Sequence, residues 1–353
     1  MMPDFFTQQP DWLGKVGRIY ALLERVAIRD EQAPNRLELR RQNRIEAVYS
    51  STAIEGNRLT LEEATAVANG EAVYAPQHDV LEMANAVAAY DALETFDPYS
   101  VADFLRAHAM VMQGLVAESG AFRTVEVDIV NAEDEVVHSG SRAFKVTQLV
   151  ADLLEWAATT SDHPLVVSSA LHFMIEQIHP FRDGNGRMGR LWQTLILSRW
   201  NPLLAWMPIE TLIRHNQAGY YVALQASRDP EIDAASFVTF MLDIIEGSLE
   251  RYLERTAASA HDGVNDGVND GVNELRDATD RVILEALTRD PRLAASDLAP
   301  LTGKSQRTIE RHLANLISDG RLSRRGSDKT GVWVVEGTEG TSEPVTLDGC
   351  QIA

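Results

Sequence analysis

The chain has 353 residues and a formal charge of −20, and hydrophobic residues make up 45% of it. This length predicts two or three domains, and the hydrophobic content suffices for a packed core, which excludes a wholly disordered chain. The negative charge argues against non-specific nucleic-acid binding by the whole chain but is compatible with a local basic face.

The sequence predicts neither a leader peptide nor a membrane span. The N-terminal stretch MMPDFFTQQPDW lacks the basic and apolar regions of a secretory signal. No run of about 18 apolar residues occurs in the chain. The single cysteine, Cys350, cannot form an internal disulfide, which fits a reducing compartment. We therefore expect a cytoplasmic protein with no membrane contact.

Apolar residues spaced three and four apart predict helices through an N-terminal region, residues 1–100. Thr60 and Glu63 are spaced as a capping box that begins one of these helices. The next region, residues 101–257, is predicted to be an all-helical core interrupted once. Its helices are predicted over 101–117, 143–159, 165–178, 186–199 and 209–227, and from 232 to about 257.

The interruption is the stretch TVEVDIVNAEDEVVH, residues 124–138. Apolar residues alternate with acids, and an Asn-Ala-Glu-Asp turn stands in the middle, which predicts a β-hairpin. The predicted fold class is therefore mainly α, with one β-hairpin beside an all-helical core.

A second domain is predicted beyond a linker. Residues 262–273 repeat Asp-Gly-Val-Asn three times and offer no apolar face, so 258–275 is predicted to be a flexible linker. Residues 276–336 show helices, a turn, another helix and two short strands, the pattern of a winged helix-turn-helix. Residues 337–353 are predicted to be a disordered tail.

The C-terminal domain carries the local basic face. Residues 275–335 contain eleven Lys and Arg against eight Asp and Glu, a net charge of +3. Such a face is typical of DNA-binding domains, but winged helices also bind proteins, so both partners stay open. The basic side chains are Lys304, Arg307 and Arg311 on the third helix and Arg324, Arg325 and Lys329 on the wing.

The stretch HPFRDGNGRMGR, residues 179–190, concentrates reactive side chains. His179 stands at a predicted helix end, because the residue before a proline is driven out of the α region. Gly184 and Gly186 permit close approach of a ligand to the backbone. The helix that follows presents free N–H groups at its start, which makes an anion site.

Charged residues complete that site. Arg187 and Arg190 are three positions apart, so both can face the anion. Asp183 is a carboxylate beside the predicted phosphate site, where it suits a divalent cation, most simply Mg²⁺. A base, a metal-binding acid and a phosphate site together predict chemistry on a nucleotide.

This stretch resembles the signature of the Fic-domain family: His, any residue, Phe, any residue, Asp or Glu, then Gly-Asn-Gly-Arg, two residues and Arg. Every defined position is met. The resemblance covers about residues 40–230 and includes SSTAIEGNRLT upstream and GAFR before the hairpin. It implies an all-α core with a hairpin flap, and transfer of AMP from ATP to Ser, Thr or Tyr hydroxyls of target proteins, this chain included.

The resemblance also implies roles for individual residues. His179 would be the general base, Asp183 would hold Mg²⁺, and Phe181 would anchor the loop. The flap would hold a target segment by strand addition. The nucleotide site would comprise Gly184, Asn185, Gly186, Arg187 and Arg190 around the phosphates, with Tyr220, Tyr221 and Asn216 near the base.

The upstream stretch SSTAIEGN, residues 50–57, adds a regulatory expectation. Ser51 and Glu55 are four positions apart on one predicted helix face, and Gly56 follows at the helix end. They match the family's inhibitory pattern, Ser or Thr, three residues, Glu, then Gly or Asn. The resemblance implies that Glu55 pairs with Arg190 within one chain and keeps that arginine from the γ-phosphate of ATP.

Alternatives remain at this stage. The chain could be a DNA-binding regulator whose Fic core acts as a sensor, or a Fic enzyme that uses another nucleotide or removes AMP. His179 favours the enzymes, because a pure binding module does not need it. The sequence identifies neither the target protein nor whether two copies form a homodimer.

Overall fold

The computed structural model describes residues 5–130, 136–228 and 231–261, together with 283–284, 286–287, 291–302, 309, 312–313, 316–317, 322–325 and 332–335. Contacts divide the chain into two compact units, Met1–Gly263 and Val264–Ala353. The predicted hairpin turn (131–135), most of the DGVN linker and the tail with Cys350 lie outside the described residues.

The first unit is almost entirely helical, which confirms the predicted fold class. Its helices before the hairpin are α1 (Trp12–Gln32), α2 (Arg36–Ile54), α3 (Leu61–Ala68), α4 (Gln77–Asp91) and α5 (Val101–Val111). After the hairpin come α6 (Val146–Thr159), α7 (Pro164–Ile178), α8 (Asn185–Trp200), α9 (Ile209–His215), α10 (Gln217–Ala226) and α11 (Ala235–His261). Short 3₁₀ segments occupy Leu93–Thr95, Ala143–Lys145 and Pro202–Ala205.

The hairpin consists of β1 (Asp128–Val130) and β2 (Val136–Ser139), which pair antiparallel. Asp128 lies opposite Ser139, and the register shifts between Ile129 and Val130. The first strand begins later than the predicted Thr124.

Packing of α7 against α8 forms the centre of the first unit. Both helices are buried over most of their length, and the side chains of Trp192, Phe173 and Phe181 are fully buried. The N-terminal region belongs to the same unit, because α1 packs against α11 and α2 packs against α9. The helix α2, whose end carries Glu55, also contacts α8, the helix that follows the loop at 179–190.

Local chemistry explains several helix ends. The capping box that starts α3 is confirmed: Glu63 N donates to Thr60 Oγ1 at 3.2 Å and Thr60 N to Glu63 Oε2 at 2.8 Å. The helix predicted over 101–117 ends at Val111, and Gly114 adopts φ +72°, a left-handed conformation that a continued helix excludes.

Two further predicted boundaries differ from the structure. The helix predicted over 209–227 is two helices, since Asn216 has φ −117° and ψ 39° and interrupts it. The start of the predicted linker at 258 is too early, because α11 continues to His261. Ala258 and Ala260 favour the helix, and the first Asp-Gly pair follows immediately.

The second unit has its own apolar core of Ile283, Leu287, Leu298, Ile309, Leu313, Leu316 and Leu322. Its described elements are a helix (Ala295–Thr302) and two antiparallel strands, β3 (Leu322–Arg325) and β4 (Val332–Val335), with Leu322 opposite Val335. Ile317 lies outside this core and is 46% exposed. Within the described residues, no helix has the length and hydropathy needed to cross a bilayer.

Candidate active site

His179 lies at the end of α7 in a strained backbone conformation. Its φ is +52° and its ψ 63°, and it alone among the described non-glycine residues has a positive φ. Pro180 disfavours the right-handed helix at this position, and the N–H of His179 still donates to Ile175 O at 2.9 Å. Strained residues of this kind persist where surrounding contacts hold them, commonly at functional sites.

Asn185 shapes the loop that follows His179. Its Oδ1 accepts from Phe181 N at 2.9 Å, and its Nδ2 donates to Phe181 O at 3.0 Å. The Phe181 ring is fully buried and stacks on His108, with ring centroids 3.6 Å apart. Asn185 therefore fixes the shape of the loop, and Phe181 anchors it in the core.

The two loop glycines are required for different reasons. Gly184 precedes α8 at φ +84°, and a Cβ there would lie 2.7 Å from Met112 Sδ. At Gly186 a Cβ would collide with the carboxylate of Glu55. The Glu55 carboxylate thus lies at the N-terminal turn of α8, where the sequence predicted an anion site.

The structure brings Glu55 and Ser51 together with Arg190. Arg190 Nη2 donates to Glu55 Oε1 at 2.6 Å and to Ser51 O at 3.0 Å, while Nε donates to Ser51 Oγ at 2.9 Å. The Arg190 side chain is 1% exposed. Burial, the largest single effect, lowers the pKa of Arg190, but the charge and hydrogen bond of Glu55 together with Tyr220 and Glu176 outweigh it, so the pKa is raised.

Arg187 is also held by carboxylates. Its Nη1 donates to Glu82 Oε1 at 2.5 Å, and its Nη2 donates to Asp183 Oδ1 at 3.0 Å. Glu82 Oε2 accepts from Asn57 Nδ2 at 2.8 Å, so the segment after Glu55 connects to Arg187. Glu82 was not predicted from the sequence, although a carboxylate on the buried face of α4 was a signal.

Asp183 is suited to Mg²⁺ that is bound jointly with phosphates. Its side chain is 55% exposed, and its Oδ1 accepts from Gly184 N at 2.6 Å. No cluster of three His, Cys, Asp or Glu side chains suited to a metal occurs in the described part of the chain. A cation at Asp183 would therefore draw most of its ligands from phosphate and water, as Mg²⁺ commonly does.

Two buried groups at the site were not predicted from the sequence. His108 accepts from Gly120 N through Nδ1 at 2.9 Å, so its Nε2–H donates to Asp183 O at 3.1 Å. Burial lowers the pKa of His108 to about 4. Glu176 Oε2 lies 3.9 Å from His179 Nδ1, and burial, followed by the charge of Glu55, raises the pKa of Glu176.

The three residues expected near the nucleotide base differ in burial. Tyr220 is 2% exposed, and its hydroxyl lies 3.3 Å from Glu176 Oε1 and 3.2 Å from His172 Nε2. Tyr221 is half exposed, with its ring centroid 5.4 Å from that of Tyr220. Asn216 is exposed and packs over Gly219. The structure thus directs Tyr220 towards the His179 side of the site.

Comparison with known proteins relates this chain to one family. The Fic/DOC family pattern matches residues 98–197, and a pattern described as winged helix-turn-helix DNA-binding matches residues 276–322. A crystal structure of a Fic family protein from Desulfovibrio desulfuricans G20 is 36% identical, with a TM-score of 0.67. The match covers 96% of this chain and all of that one. The predicted C-terminal winged helix-turn-helix is thereby confirmed.

Curated relatives are more distant. The protein adenylyltransferase fic-1 of Caenorhabditis elegans is 29% identical in an alignment 222 positions long that covers 58% of this chain. The protein adenylyltransferase Fic of Culex quinquefasciatus is 26% identical in an alignment 230 positions long that covers 62% of this chain. The matches span only 40% and 43% of those two proteins.

Proposed function

Because the chain belongs to the Fic family, we propose that it is a protein adenylyltransferase, which transfers AMP from ATP to Ser, Thr or Tyr hydroxyls of target proteins and of itself. The observation that carries the proposal is the loop at 179–190. It gathers His179, Asp183 and two arginines around the N-terminus of α8, in a chain similar to proteins named adenylyltransferases.

In this proposal His179 accepts the proton of the target hydroxyl, since an imidazole exchanges protons near neutral pH. The hydroxyl oxygen forms a bond to the α-phosphorus, and the bond from that phosphorus to the β-phosphate oxygen breaks. Pyrophosphate leaves, and Arg187 and Arg190 neutralise its charge. Mg²⁺ held by Asp183 would supply further neutralisation of the phosphates. Gly184, Asn185 and Gly186 shape the backbone that receives them.

Regulation by Glu55 is part of the same proposal. In this proposal Arg190 cannot bind Glu55 and the γ-phosphate of ATP at the same time, because both would need the same guanidinium N–H donors. The Glu55 carboxylate also lies where Gly186 leaves room for a ligand. Release of Glu55 would therefore free both a cation and space for a productive triphosphate.

The hairpin and the nucleotide base belong to the proposal as well. The flap would align a target segment by main-chain pairing with one of its two strands, Asp128–Val130 or Val136–Ser139. Tyr221 is the exposed aromatic ring of the predicted base site, so we assign base contact to it first. Tyr220 supports it from the core.

A second candidate function concerns the C-terminal unit. The match to a DNA-binding winged-helix pattern and the local charge of +3 support contact with DNA, so that the chain would couple its Fic core to a DNA site. Binding of the full chain to labelled duplex DNA, measured at two salt concentrations, tests this proposal. Binding that weakens at the higher salt concentration supports contact with DNA. Absence of binding at low salt favours a protein as the partner of the C-terminal unit.

The main proposal is tested with labelled nucleotides. The protein is incubated with Mg²⁺ and α-labelled ATP, GTP or UTP, and labelled protein is measured for wild type, Glu55→Gly and His179→Ala. ATP-dependent label in Glu55→Gly but not in His179→Ala is the expected result. If GTP or UTP labels the protein instead, that nucleotide replaces ATP as the proposed substrate. If the protein instead removes AMP from a protein that already carries it, the activity is removal of AMP.

A further inference from the structure

Arg123 is a buried cation between the flap and His179. It follows Phe122 in the turn before β1, and its side chain is 0% exposed. The nearest acid, Glu126, is half exposed and lies 3.9 Å away. At 3.9 Å the Glu126 carboxylate is within ion-pair range but too far to accept a hydrogen bond, so other groups must satisfy the guanidinium donors, because unsatisfied buried donors are costly.

Backbone carbonyls satisfy those donors. Arg123 Nε donates to His179 O at 2.6 Å, and Nη2 donates to Ile178 O at 3.3 Å, which places the cation at the C-terminus of α7. Nη1 donates to Val125 O at 2.8 Å, and Nη2 also donates to Ser141 O. Val125 and Ser141 are the residues from which the two halves of the flap extend.

Main-chain contacts join the same segments. Arg123 N donates to Pro180 O at 3.0 Å, and Ser141 N donates to Ile178 O at 3.1 Å. Gly140 lies in the middle: a Cβ there would be 2.9 Å from Arg123 Nη2 and 3.3 Å from the Cβ of His179. The base of the flap and the backbone of His179 are therefore packed around one guanidinium with no room for an extra methyl group.

We propose that Arg123 is a positioning residue that holds the left-handed backbone of His179 and both bases of the flap in one fixed relationship. The inference rests on the proposed function, since it gives this contact a purpose: the flap places the target hydroxyl, and His179 must meet it. A lysine cannot replace the arginine, because one ammonium group cannot donate in a planar fork to carbonyls of three segments.

Hydrogen exchange tests the structural part of the proposal without any need for activity. In Arg123→Lys, amide exchange should become faster both in the flap, residues 124–142, and in the loop, residues 178–184. Arg228→Lys is the matched control. Arg228 donates to Glu176 O at 3.3 Å and to Gln177 Oε1 at 3.1 Å, so its hydrogen bonds are made at the end of the same helix and not to the flap. Its exchange should change at most near residue 176.

Kinetics test the functional part in the Glu55→Gly background. Adding Arg123→Lys should lower kcat for transfer roughly tenfold to a hundredfold, because small misplacements of reacting groups cost that much. KM for ATP should change by less than about threefold, and the melting temperature should move no more than in Arg228→Lys. Gly140→Ala inserts a methyl group between the flap and His179. It should also lower kcat while KM for ATP changes little.

Several outcomes would overturn the inference. They are unchanged exchange in Arg123→Lys, faster exchange in the flap alone, or equal effects in Arg228→Lys. If Arg123→Lys does not fold, Gly140→Ala decides by the same measurements. If the Glu55→Gly parent transfers no AMP, the proposed function fails, while the coupled exchange of flap and loop still decides the role of Arg123.

Discussion

Arg190 and Glu55 are 135 positions apart in sequence, yet their side chains meet at 2.6 Å. The pair joins the end of α2 to the first turns of α8. Ser51 adds two more acceptors to the same guanidinium, at 2.9 and 3.0 Å. The proposed regulation by Glu55 rests on this arrangement, in which Arg190 is held at three points and is almost fully buried.

Glu55→Gly should raise self-modification with ATP and Mg²⁺. A charge-assisted pair contributes about 1.5 to 3 kcal/mol, so the gain should be roughly tenfold to a hundredfold where release of Arg190 limits the rate. Ser51→Ala should produce a smaller gain, because the Ser51 carbonyl and Glu55 still hold Arg190. The measurement is a time course of labelled protein.

Two variants control the Glu55 experiment. Glu62→Ala removes an exposed glutamate on α3 and should leave the rate at the wild-type level. Glu55→Gly with Arg190→Ala should lose the gain, because ATP needs the arginine as well. Equal labelling by wild type and a folded Glu55→Gly would show that the pair does not regulate the site.

His179→Ala should abolish transfer and leave ATP binding nearly intact. The groups proposed to hold the phosphates are the backbone at the start of α8 and the two arginines, and the imidazole beside Glu176 is not one of them. Labelled product and nucleotide affinity are measured for the variant and for His78→Ala, which changes an exposed histidine. Undiminished labelling by His179→Ala would remove it from the mechanism.

Asp183→Asn should weaken Mg²⁺-dependent binding of ATP. The amide keeps an oxygen to accept from Gly184 N, so the loop should retain its shape, but the charge that attracts the cation is lost. Affinity for ATP is measured with Mg²⁺ and with EDTA. The wild type should show a large difference and Asp183→Asn a small one; an equal Mg²⁺ effect in both would refute the assignment.

His108 should make stability fall in mild acid. Its pKa is about 4 in the folded protein against about 6.5 when unfolded, so the unfolded chain binds the proton first. Stability is fully present above pH 6.5 and is lost as the pH falls towards 4, by about 2 kcal/mol between pH 7 and pH 5. Protonation would also remove the acceptor used by Gly120 N.

Urea unfolding at pH 7 and pH 5 measures this effect. His108→Gln cannot titrate, so its free energy of unfolding should fall by about 2 kcal/mol less than that of the wild type over the same interval. His172, whose pKa burial lowers to about 3, contributes a similar loss that remains in the variant. Identical pH dependence in both proteins would contradict the assignment to His108.

Local features were predictable from the sequence because neighbouring residues determine them. The mainly α class follows from apolar spacing, and the start of α3 follows from Thr60 and Glu63, three positions apart. The loop at 179–190 is contiguous, so its resemblance to the Fic signature could be recognised without any knowledge of packing. The match of residues 51–56 to an inhibitory pattern was recognisable for the same reason.

Contacts between distant segments were decided only by the tertiary structure. Glu82 and Arg187 are 105 positions apart, and Arg123 and His179 are 56 apart, so no local spacing relates them. Apolar spacing predicts which face of a helix is buried, but it does not identify the helix that packs against that face. Burial of Tyr220 was likewise decided by the packing of whole helices against one another. A side chain's partner is the residue that packing brings within reach, and packing depends on every helix at once.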